Sequence, residues 1–208
     1  MPFIDRADAA KQLARVLDGH VGERPLVLAV PRGAVPMGAI IAGKLGGDFD
    51  VVLVRKLGAP GNPEYAIGAV SESGWTYLTP YAAAAGADSG YIDRERAAQL
   101  EVLRRRRTAY TPGREPIPAT GREVIVVDDG LATGASMIAA LHAIREQKPA
   151  RLICAVPVAP PRTLELLQPY ADEVVCLESP AGFRAVGQFY RDFSQVEDAE
   201  VVACLKER

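Results

Sequence analysis

One stretch near the middle of the chain restricts the fold more than any other part of the sequence. Residues 124–127 read Val-Ile-Val-Val, a short apolar run of β-branched residues that predicts a strand covered on both faces. Asp128 and Asp129 follow at once, and a turn of small residues leads into an Ala- and Leu-rich helix predicted from Ala135 to about Glu146. The stretch therefore predicts a strand, an acid pair, a tight turn and a helix, in that order.

The turn between this strand and this helix has the chemistry of an anion site. Small residues let a ligand approach the backbone, and the first N–H groups of a helix have no partners within the helix. These groups and the helix dipole favour a phosphate, to which Thr133 and Ser136 add hydroxyl donors. Asp128 and Asp129 repel a phosphate but suit sugar hydroxyls or a divalent metal ion. A ligand that carries a phosphate, a ribose diol and magnesium would satisfy both halves of the stretch.

The run Asp-Asp-Gly-Leu-Ala-Thr-Gly-Ala-Ser after a strand resembles the phosphoribosyl-pyrophosphate signature of the type I phosphoribosyltransferases. The resemblance implies that Asp128 and Asp129 are catalytic, hold the ribose diol and meet magnesium indirectly, through ribose or water. It also implies that the turn binds the 5′-phosphate with Ala132, Thr133, Gly134, Ala135 and Ser136. The alternative is an ordinary strand-to-helix turn with Asp at its start.

Position 132 departs from the family pattern. Many purine-using members have an aspartate there, proposed to handle a proton near the base, whereas this chain has Ala132. No residue at this position of the loop can therefore transfer that proton.

A second strand, predicted at Leu26–Val30, opens into a glycine-bearing turn at 31–38 and a helix that runs to about Leu45. Arg32 stands at the tip of this turn, where an arginine can hold phosphate oxygens in a bidentate way. In the family the pyrophosphate loop lies here, often with an unusual peptide geometry, so the resemblance implies pyrophosphate binding by Arg32 and Gly33. The alternative is an ordinary turn with a solvated arginine.

A third strand is predicted at Val51–Val54 and ends in two cations, Arg55 and Lys56. Open α/β sheets bind ligands at the carboxyl ends of their strands, so both cations are candidates for holding the pyrophosphate. The alternative is a solvated strand end. Residues 57–65 are rich in turn formers and predict a long connection, where the family has a flexible loop that closes over the reacting centre.

The remaining pattern alternates short apolar strands with helices, which predicts a parallel α/β sheet with right-handed crossovers. Further strands are predicted at Arg151–Val156, where Pro157 ends the strand, and at Glu173–Leu177. Helices are expected at 8–17, 162–167 and 197–205, and a hairpin at 65–70 and 75–78. The resemblance implies a Rossmann-like type I phosphoribosyltransferase core in a single domain over 1–208, with a helical insertion and linker at 79–121.

The predicted insertion contains a long helix from Asp88 to about Ala109 and a basic cluster at Arg104–Arg107. Three interpretations of the cluster stay open. The arginines can complement the negative end of the helix and stay solvated, or meet a partner subunit or an anionic ligand. The third is RNA binding, which the lack of interleaved aromatic residues disfavours.

Residues 179–196, which we call the hood segment, are dense in aromatic residues for a chain that is only 6% aromatic. Phe-Arg-Ala-Val-Gly followed by Tyr and Phe resembles the carboxyl-terminal hood of hypoxanthine-type members. That resemblance implies that Phe183 stacks on the base while the backbone at Arg184 and Ala185 reads its edge. The alternative is a hydrophobic clasp that closes the sheet edge. The strand-end lysine that reads a 6-oxo group in those enzymes is replaced in 157–159, which leaves the base open.

Charge and composition exclude several other classes. The formal net charge of −2 gives no global basic field of the kind used on duplex DNA. No apolar run approaches the roughly 20 residues that span a bilayer, and no leader pattern starts the sequence, so the expectation is a cytoplasmic protein. The cysteines are three, widely spaced and flanked by apolar residues, which predicts buried free thiols at Cys154, Cys176 and Cys204.

The sequence thus predicts Mg²⁺-dependent transfer of a phosphoribosyl group from phosphoribosyl pyrophosphate to a nitrogenous base, with a purine as one candidate. The partners expected are phosphoribosyl pyrophosphate and a nucleobase-like acceptor, with no membrane or nucleic acid, and a homodimer is left open. The alternative function is a non-catalytic sensor of phosphoribosyl pyrophosphate or nucleotides.

Overall fold

The structure, a computed structural model, describes residues 2–206. In this part of the chain, eight strands form two sheets and six α-helices flank them. The strands are β1 (Leu26–Ala29), β2 (Asp48–Val51), β3 (Val54–Ala59), β4 (Asn62–Ser71), β5 (Thr76–Leu78), β6 (Glu123–Val127), β7 (Arg151–Val158) and β8 (Glu173–Glu178). The helices are α1 (Arg6–Leu17), α2 (Val35–Leu45), α3 (Ser89–Tyr110), α4 (Ala135–Arg145), α5 (Pro161–Leu167) and α6 (Asp198–Lys206), with a 3₁₀ turn at Val186–Phe189.

The larger sheet is entirely parallel, with the strand order β2-β1-β6-β7-β8. Alternate side chains of its central strands enter two separate cores, as the two-residue period of a strand requires. Ile125 and Val127 face α1 and α2, whereas Val124 and Val126 face α4. This arrangement confirms the predicted fold class, a parallel α/β sheet with flanking helices.

The register aligns the carboxyl ends of the central strands. Ala29 at the end of β1 lies opposite Val127 at the end of β6, and Val127 lies opposite Ala155 of β7. The turns that follow β1 and β6 therefore emerge side by side at one edge of the sheet, which is where such folds collect ligands.

The strand predicted at Val51–Val54 is wrong. Strand β2 ends and β3 begins within this run, in different sheets, and residues 52–53 connect them. All four side chains are buried, so the apolar pattern continues across the change of sheet and conceals it. Arg55 and Lys56 consequently lie inside β3 and not after the end of a strand.

The irregular connection predicted at 57–65 is also wrong, because β3 and β4 form a hairpin that turns at Pro60 and Gly61. Gly61 has φ of +71°, a conformation that glycine adopts without steric cost. The Tyr91 hydroxyl of α3 donates to the Gly58 carbonyl at 2.9 Å and ties the hairpin to that helix. The turn-forming residues thus mark the hairpin tip and an irregular register near it.

Strand β7 continues two residues past its predicted end, through Pro157 to Val158. Its neighbour β6 stops at Val127, opposite Ala155, so no strand lies beside Pro157 on that side. A proline, which lacks an N–H group, is tolerated at such a place because no ladder hydrogen bond is lost.

The hairpin predicted from 65–70 and 75–78 is present as β4 and β5, and the long predicted helix is α3, capped by the Asp88 carboxylate. The hood segment contains the 3₁₀ turn and lies against the start of the chain. Phe3 donates its N–H to the Phe189 carbonyl at 2.7 Å and accepts from the Arg191 N–H at 2.9 Å. None of the helices within residues 2–206 combines the length and the hydrophobicity that a bilayer-spanning helix needs.

Candidate active site

A cavity of about 390 Å³ opens at the carboxyl edge of the parallel sheet. The turns after β1 and β6 form its floor, and β3, α1 and the hood segment form its walls. Its charged lining combines three cations with the acid pair: Arg6, Arg32, Lys56, Asp128 and Asp129. The structure therefore brings the predicted acids together with two of the predicted pyrophosphate-binding cations.

The turn after β6 forms a smaller, adjoining hollow of about 50 Å³, lined by the predicted phosphate-binding residues 132–136 and by Lys56. Gly134 begins α4 with φ of +77°, a left-handed conformation that favours glycine. The Thr163 hydroxyl donates to the Ala132 carbonyl at 2.6 Å and fixes the turn from α5. The N-terminus of α4 thus faces a small, preformed space beside a lysine, which suits a phosphate group.

Asp129 is held by a residue that the sequence did not indicate. The Arg6 Nε atom lies 2.8 Å from Asp129 Oδ2, and another Arg6 nitrogen donates to the Ser194 carbonyl at 2.7 Å. The Arg6 guanidinium also lies 3.9 Å from the centre of the Phe193 ring, a cation–π geometry. One arginine therefore connects the acid pair to the hood segment, across 123 residues of sequence.

Burial raises the pKa of both acids. The pKa of Asp128 is well above its ordinary value, first because of burial and then because of the adjacent Asp129 charge, although Lys56 and Arg6 oppose this. The pKa of Asp129 is raised by burial and opposed chiefly by Arg6. The site therefore concentrates two coupled carboxylates whose ionisation depends on the cations around them.

The turn after β1 contacts the acid pair closely. A Cβ atom added at Gly33 would lie only 2.0 Å from Asp129 Oδ2, so no larger residue fits unless the carboxylate moves. The peptide bond between Pro31 and Arg32 is cis. The Arg32 guanidinium lies 3.5 Å from Glu197 and 3.8 Å from Asp198.

The two cations predicted to act together in β3 point in opposite directions, as neighbours in a strand must. Lys56 lines the cavity, whereas Arg55 turns toward α3 and donates from Nε to the Gln99 side chain at 2.8 Å. Sequence reasoning placed both at a strand end and so missed this divergence.

The hood residues that line the cavity are Val186, Phe193, Gln195 and Val196. Phe183 packs on Phe189, with ring centres 5.4 Å apart, and is not part of this lining. The N–H groups of Arg184 and Ala185 donate to Gln188 Oε1, at 3.0 and 3.2 Å. The stacking role of Phe183 and the reading role of this backbone stay predictions, and Gln188 must release the N–H groups before a base can accept from them.

The basic cluster of α3 is divided among different environments. Arg104 and Arg105 are 76% and 77% exposed and pair with Glu101, as solvated arginines would. Arg107 forms an ion pair with Glu72, and Arg106 is half-buried.

All three cysteines are reduced and lie outside any disulfide. Cys154 is buried in the core, and burial raises its pKa, whereas Cys176 and Cys204 are partly exposed, which differs from the prediction that all three are buried. Among residues 2–206, no group of three or more metal-ligating side chains occurs.

The parallel sheet and its flanking helices define an α/β protein, which carries an acid pair and a small hollow at the carboxyl edge of the sheet. A family model described as a phosphoribosyl transferase domain matches residues 4–194. Proteins from two Mycobacterium tuberculosis strains, CDC 1551 and H37Rv, provisionally named phosphoribosyl transferases, are 44% identical over 204 residues, or 98% of this chain. The crystal structure of TT1426 from Thermus thermophilus has a TM-score of 0.83 and 49% identity, covering 100% of this chain and 99% of that chain.

The chain therefore belongs to the phosphoribosyl transferase domain family. It spans 46% of the length of the two M. tuberculosis relatives.

Proposed function

We propose that the protein transfers a phosphoribosyl group from phosphoribosyl pyrophosphate to a nitrogenous base, with purines as the first acceptors to test. The observation that carries this proposal is the cavity in which Asp128 and Asp129 face Arg32 and Lys56 beside the N-terminus of α4. Family membership supports a transferase of this class.

Each part of the donor has a matching part of the cavity. The 5′-phosphate fits the hollow at 132–136, where backbone N–H groups, two hydroxyls and Lys56 supply donors. The ribose diol fits the carboxylates of Asp128 and Asp129, which are acceptors when ionised. The pyrophosphate fits the turn that carries Arg32 and Gly33, as a guanidinium can bind phosphate oxygens in a bidentate way.

Magnesium fits this site only indirectly. Two carboxylates lie in the cavity, and one of them already accepts from Arg6, so the protein offers too few oxygen ligands for a cage of its own. Mg²⁺ commonly keeps its waters and binds through substrate phosphates with one or two carboxylates. We propose that Asp128 and Asp129 would hold the ion through ribose or water; when bound, it would supply positive charge near the leaving pyrophosphate.

In the proposed reaction the nitrogen of the base attacks the anomeric carbon of the ribose as pyrophosphate leaves. Positive charge develops on the ribose ring, and the adjacent carboxylates of Asp128 and Asp129 are placed to stabilise it. The Arg32 guanidinium stabilises the negative charge that develops on the leaving pyrophosphate. The residues of the hood segment cover the cavity and exclude water from the ring.

A second function, a sensor that binds phosphoribosyl pyrophosphate without chemistry, rests on two observations. Ala132 stands where many purine-using members have an acid, and Arg6 occupies an oxygen of Asp129. A sensor would retain the phosphate hollow and the arginine but turn over no base.

Isotope exchange between labelled pyrophosphate and phosphoribosyl pyrophosphate, screened across nucleobases with Mg²⁺ present, tests the proposal. We expect exchange with at least one base. The exchange rate should fall by at least about 100-fold when Asp128→Asn and Asp129→Asn are combined. Asp93→Asn is the control, because that side chain is 71% exposed on α3. Tight donor binding with no exchange for any base would support the sensor, and normal turnover by the double variant would refute the assigned acid roles.

A further inference from the structure

One face of α3 carries an unexplained charge. Gln99, Leu103, Arg106 and Tyr110 follow one another at helical spacing and share that face. Leu103 and Tyr110 are the buried residues of the helix, and Arg106 lies between them, half-buried. Its side chain forms no hydrogen bond or ion pair with any residue from 2 to 206.

Arg55 of β3 contacts the same face of α3. Its Nε atom donates to Gln99 Oε1 at 2.8 Å, two helical turns before Arg106. Burial lowers the pKa of Arg55, and the charge of Arg106 lowers it further, as expected for two guanidinium groups held near each other.

Arg32 connects this pair to the cavity. Its guanidinium lies 3.8 Å from Asp198 Oδ1, and the same oxygen accepts from the Tyr110 hydroxyl at 2.5 Å. Arg32 also lines the cavity beside the acid pair. Arg106 therefore lies on α3 between Gln99, which Arg55 contacts, and Tyr110, which shares the Asp198 carboxylate with Arg32. Of the three arginines, only Arg32 lines the cavity.

The carboxylates near Arg32 and Arg55 do not form an ion pair with Arg106. Glu95 accepts from Gln99 at 3.0 Å and lies near Arg55, while Glu197 and Asp198 lie near Arg32 and are 64% and 60% exposed. A partly desolvated cation without a counter-ion is unfavourable, and three neighbouring cations are a favourable environment for a polyvalent anion.

We propose that Arg106 is a third diphosphate-binding arginine, which acts with Arg32 and Arg55. This inference rests on the proposed function, in which a diphosphate is the leaving group. A diphosphate offers enough oxygens for several guanidinium groups, each able to donate two parallel hydrogen bonds. The insertion at 79–121 thereby contributes a ligand-binding residue through the buried face of α3.

The test compares Arg106→Gln with Arg105→Gln, its exposed neighbour on the same helix. Calorimetric titration with inorganic pyrophosphate and Mg²⁺ should give about 10- to 100-fold weaker binding for Arg106→Gln, the loss typical of one charge-assisted contact. Arg105→Gln should stay within about twofold of the wild type. In the transfer assay, Arg106→Gln should raise the KM for phosphoribosyl pyrophosphate more than it lowers kcat.

The possible outcomes separate this inference from the proposed function. Equal pyrophosphate affinity of the two variants would overturn the role of Arg106 and leave the proposed function intact. If the wild type neither binds pyrophosphate nor transfers to any base, both fail.

If Arg106→Gln does not fold, Arg106→Lys retains the aliphatic stem and the charge but loses the bidentate geometry, and it should bind about 5- to 10-fold more weakly. Unchanged binding by this folded variant would also overturn the role.

Discussion

The two sides of the cavity are built in different ways. On the sheet side, the turns after β1 and β6 follow directly from buried parallel strands whose register aligns them. On the hood side, residues 183–196 contain a single 3₁₀ turn and are held by the start of the chain, by Arg6 and by the Tyr190 hydroxyl. The comparison indicates that the sheet side is a rigid frame and that the hood side is a segment attached through a few specific contacts. Under the proposed function, the frame would hold the donor and the segment would cover the acceptor.

The comparison predicts that the largest effect comes from a small change on the sheet side. Gly33→Ala would place a methyl group 2.0 Å from Asp129 Oδ2 and so displace that carboxylate. We expect kcat/KM to fall by at least about 100-fold, because a shift of about 1 Å in a reacting group has that effect, and stability to fall by about 1–3 kcal/mol.

Gly43→Ala is the matched control, since nothing lies within 4 Å of a Cβ atom at that helical position. It should leave activity unchanged and raise the free energy of unfolding slightly. Steady-state kinetics and urea unfolding measure both variants. Full activity in Gly33→Ala would mean that the turn after β1 is less rigid than the strand register suggests.

The turn after β6 could be predicted from the sequence because its signals are local. A β-branched run, two acids and small residues lie within 13 positions, and the backbone they specify depends little on the rest of the chain. The change of sheet between β2 and β3 could not be predicted in this way, because an apolar run reads the same whether one sheet or two bury it. Tertiary packing decides that question.

The role of Arg6 had no sequence signal at all. It lies at the first position of α1, where nothing in the sequence distinguishes it from the other charged residues of the helix, and its partner is 123 residues away. The opposite directions of Arg55 and Lys56 could have been predicted if both had been placed inside a strand, since alternation follows from the strand itself.

The second prediction concerns the ion pair between Arg6 and Asp129, which links the two sides of the cavity. Arg6→Met removes the cation that opposes the raised pKa of Asp129, and leaves an unpaired carboxylate that keeps only 15% side-chain exposure. We expect the free energy of unfolding to fall by about 1–3 kcal/mol at neutral pH, since a largely buried charge would lack its partner. Arg15→Met, which changes an exposed arginine of the same helix, is the control.

The pH dependence of this loss has a definite sign. The folded-state pKa of Asp129 is raised, so its ionisation is a stability cost that appears as pH rises from the ordinary value of 3.8 through the folded value. Without Arg6 that cost grows, so the difference between Arg6→Met and the wild type should shrink as pH falls toward 3.8. Adding Asp129→Asn should recover most of the loss, and purely additive effects of the two substitutions would show that the ion pair does not couple the two sides.

The smallest effect should come from the hood side alone. Tyr190→Phe deletes one hydrogen bond, from the hydroxyl to the Asp129 carbonyl at 2.6 Å, while the ring retains its contact with Phe3. We expect the free energy of unfolding in urea to fall by about 1 kcal/mol, the usual net value of such a bond, and the acceptor KM to rise only a few-fold with the donor KM unchanged.

Tyr65→Phe, at a residue that is 46% exposed, is the control and should change neither quantity. Because burial holds the pKa of Tyr190 above its ordinary value of 10, the wild type should lose more stability above that pH than the Phe variant does. A donor KM that changes as much as the acceptor KM would mean that the hood segment and the sheet side act as one rigid unit.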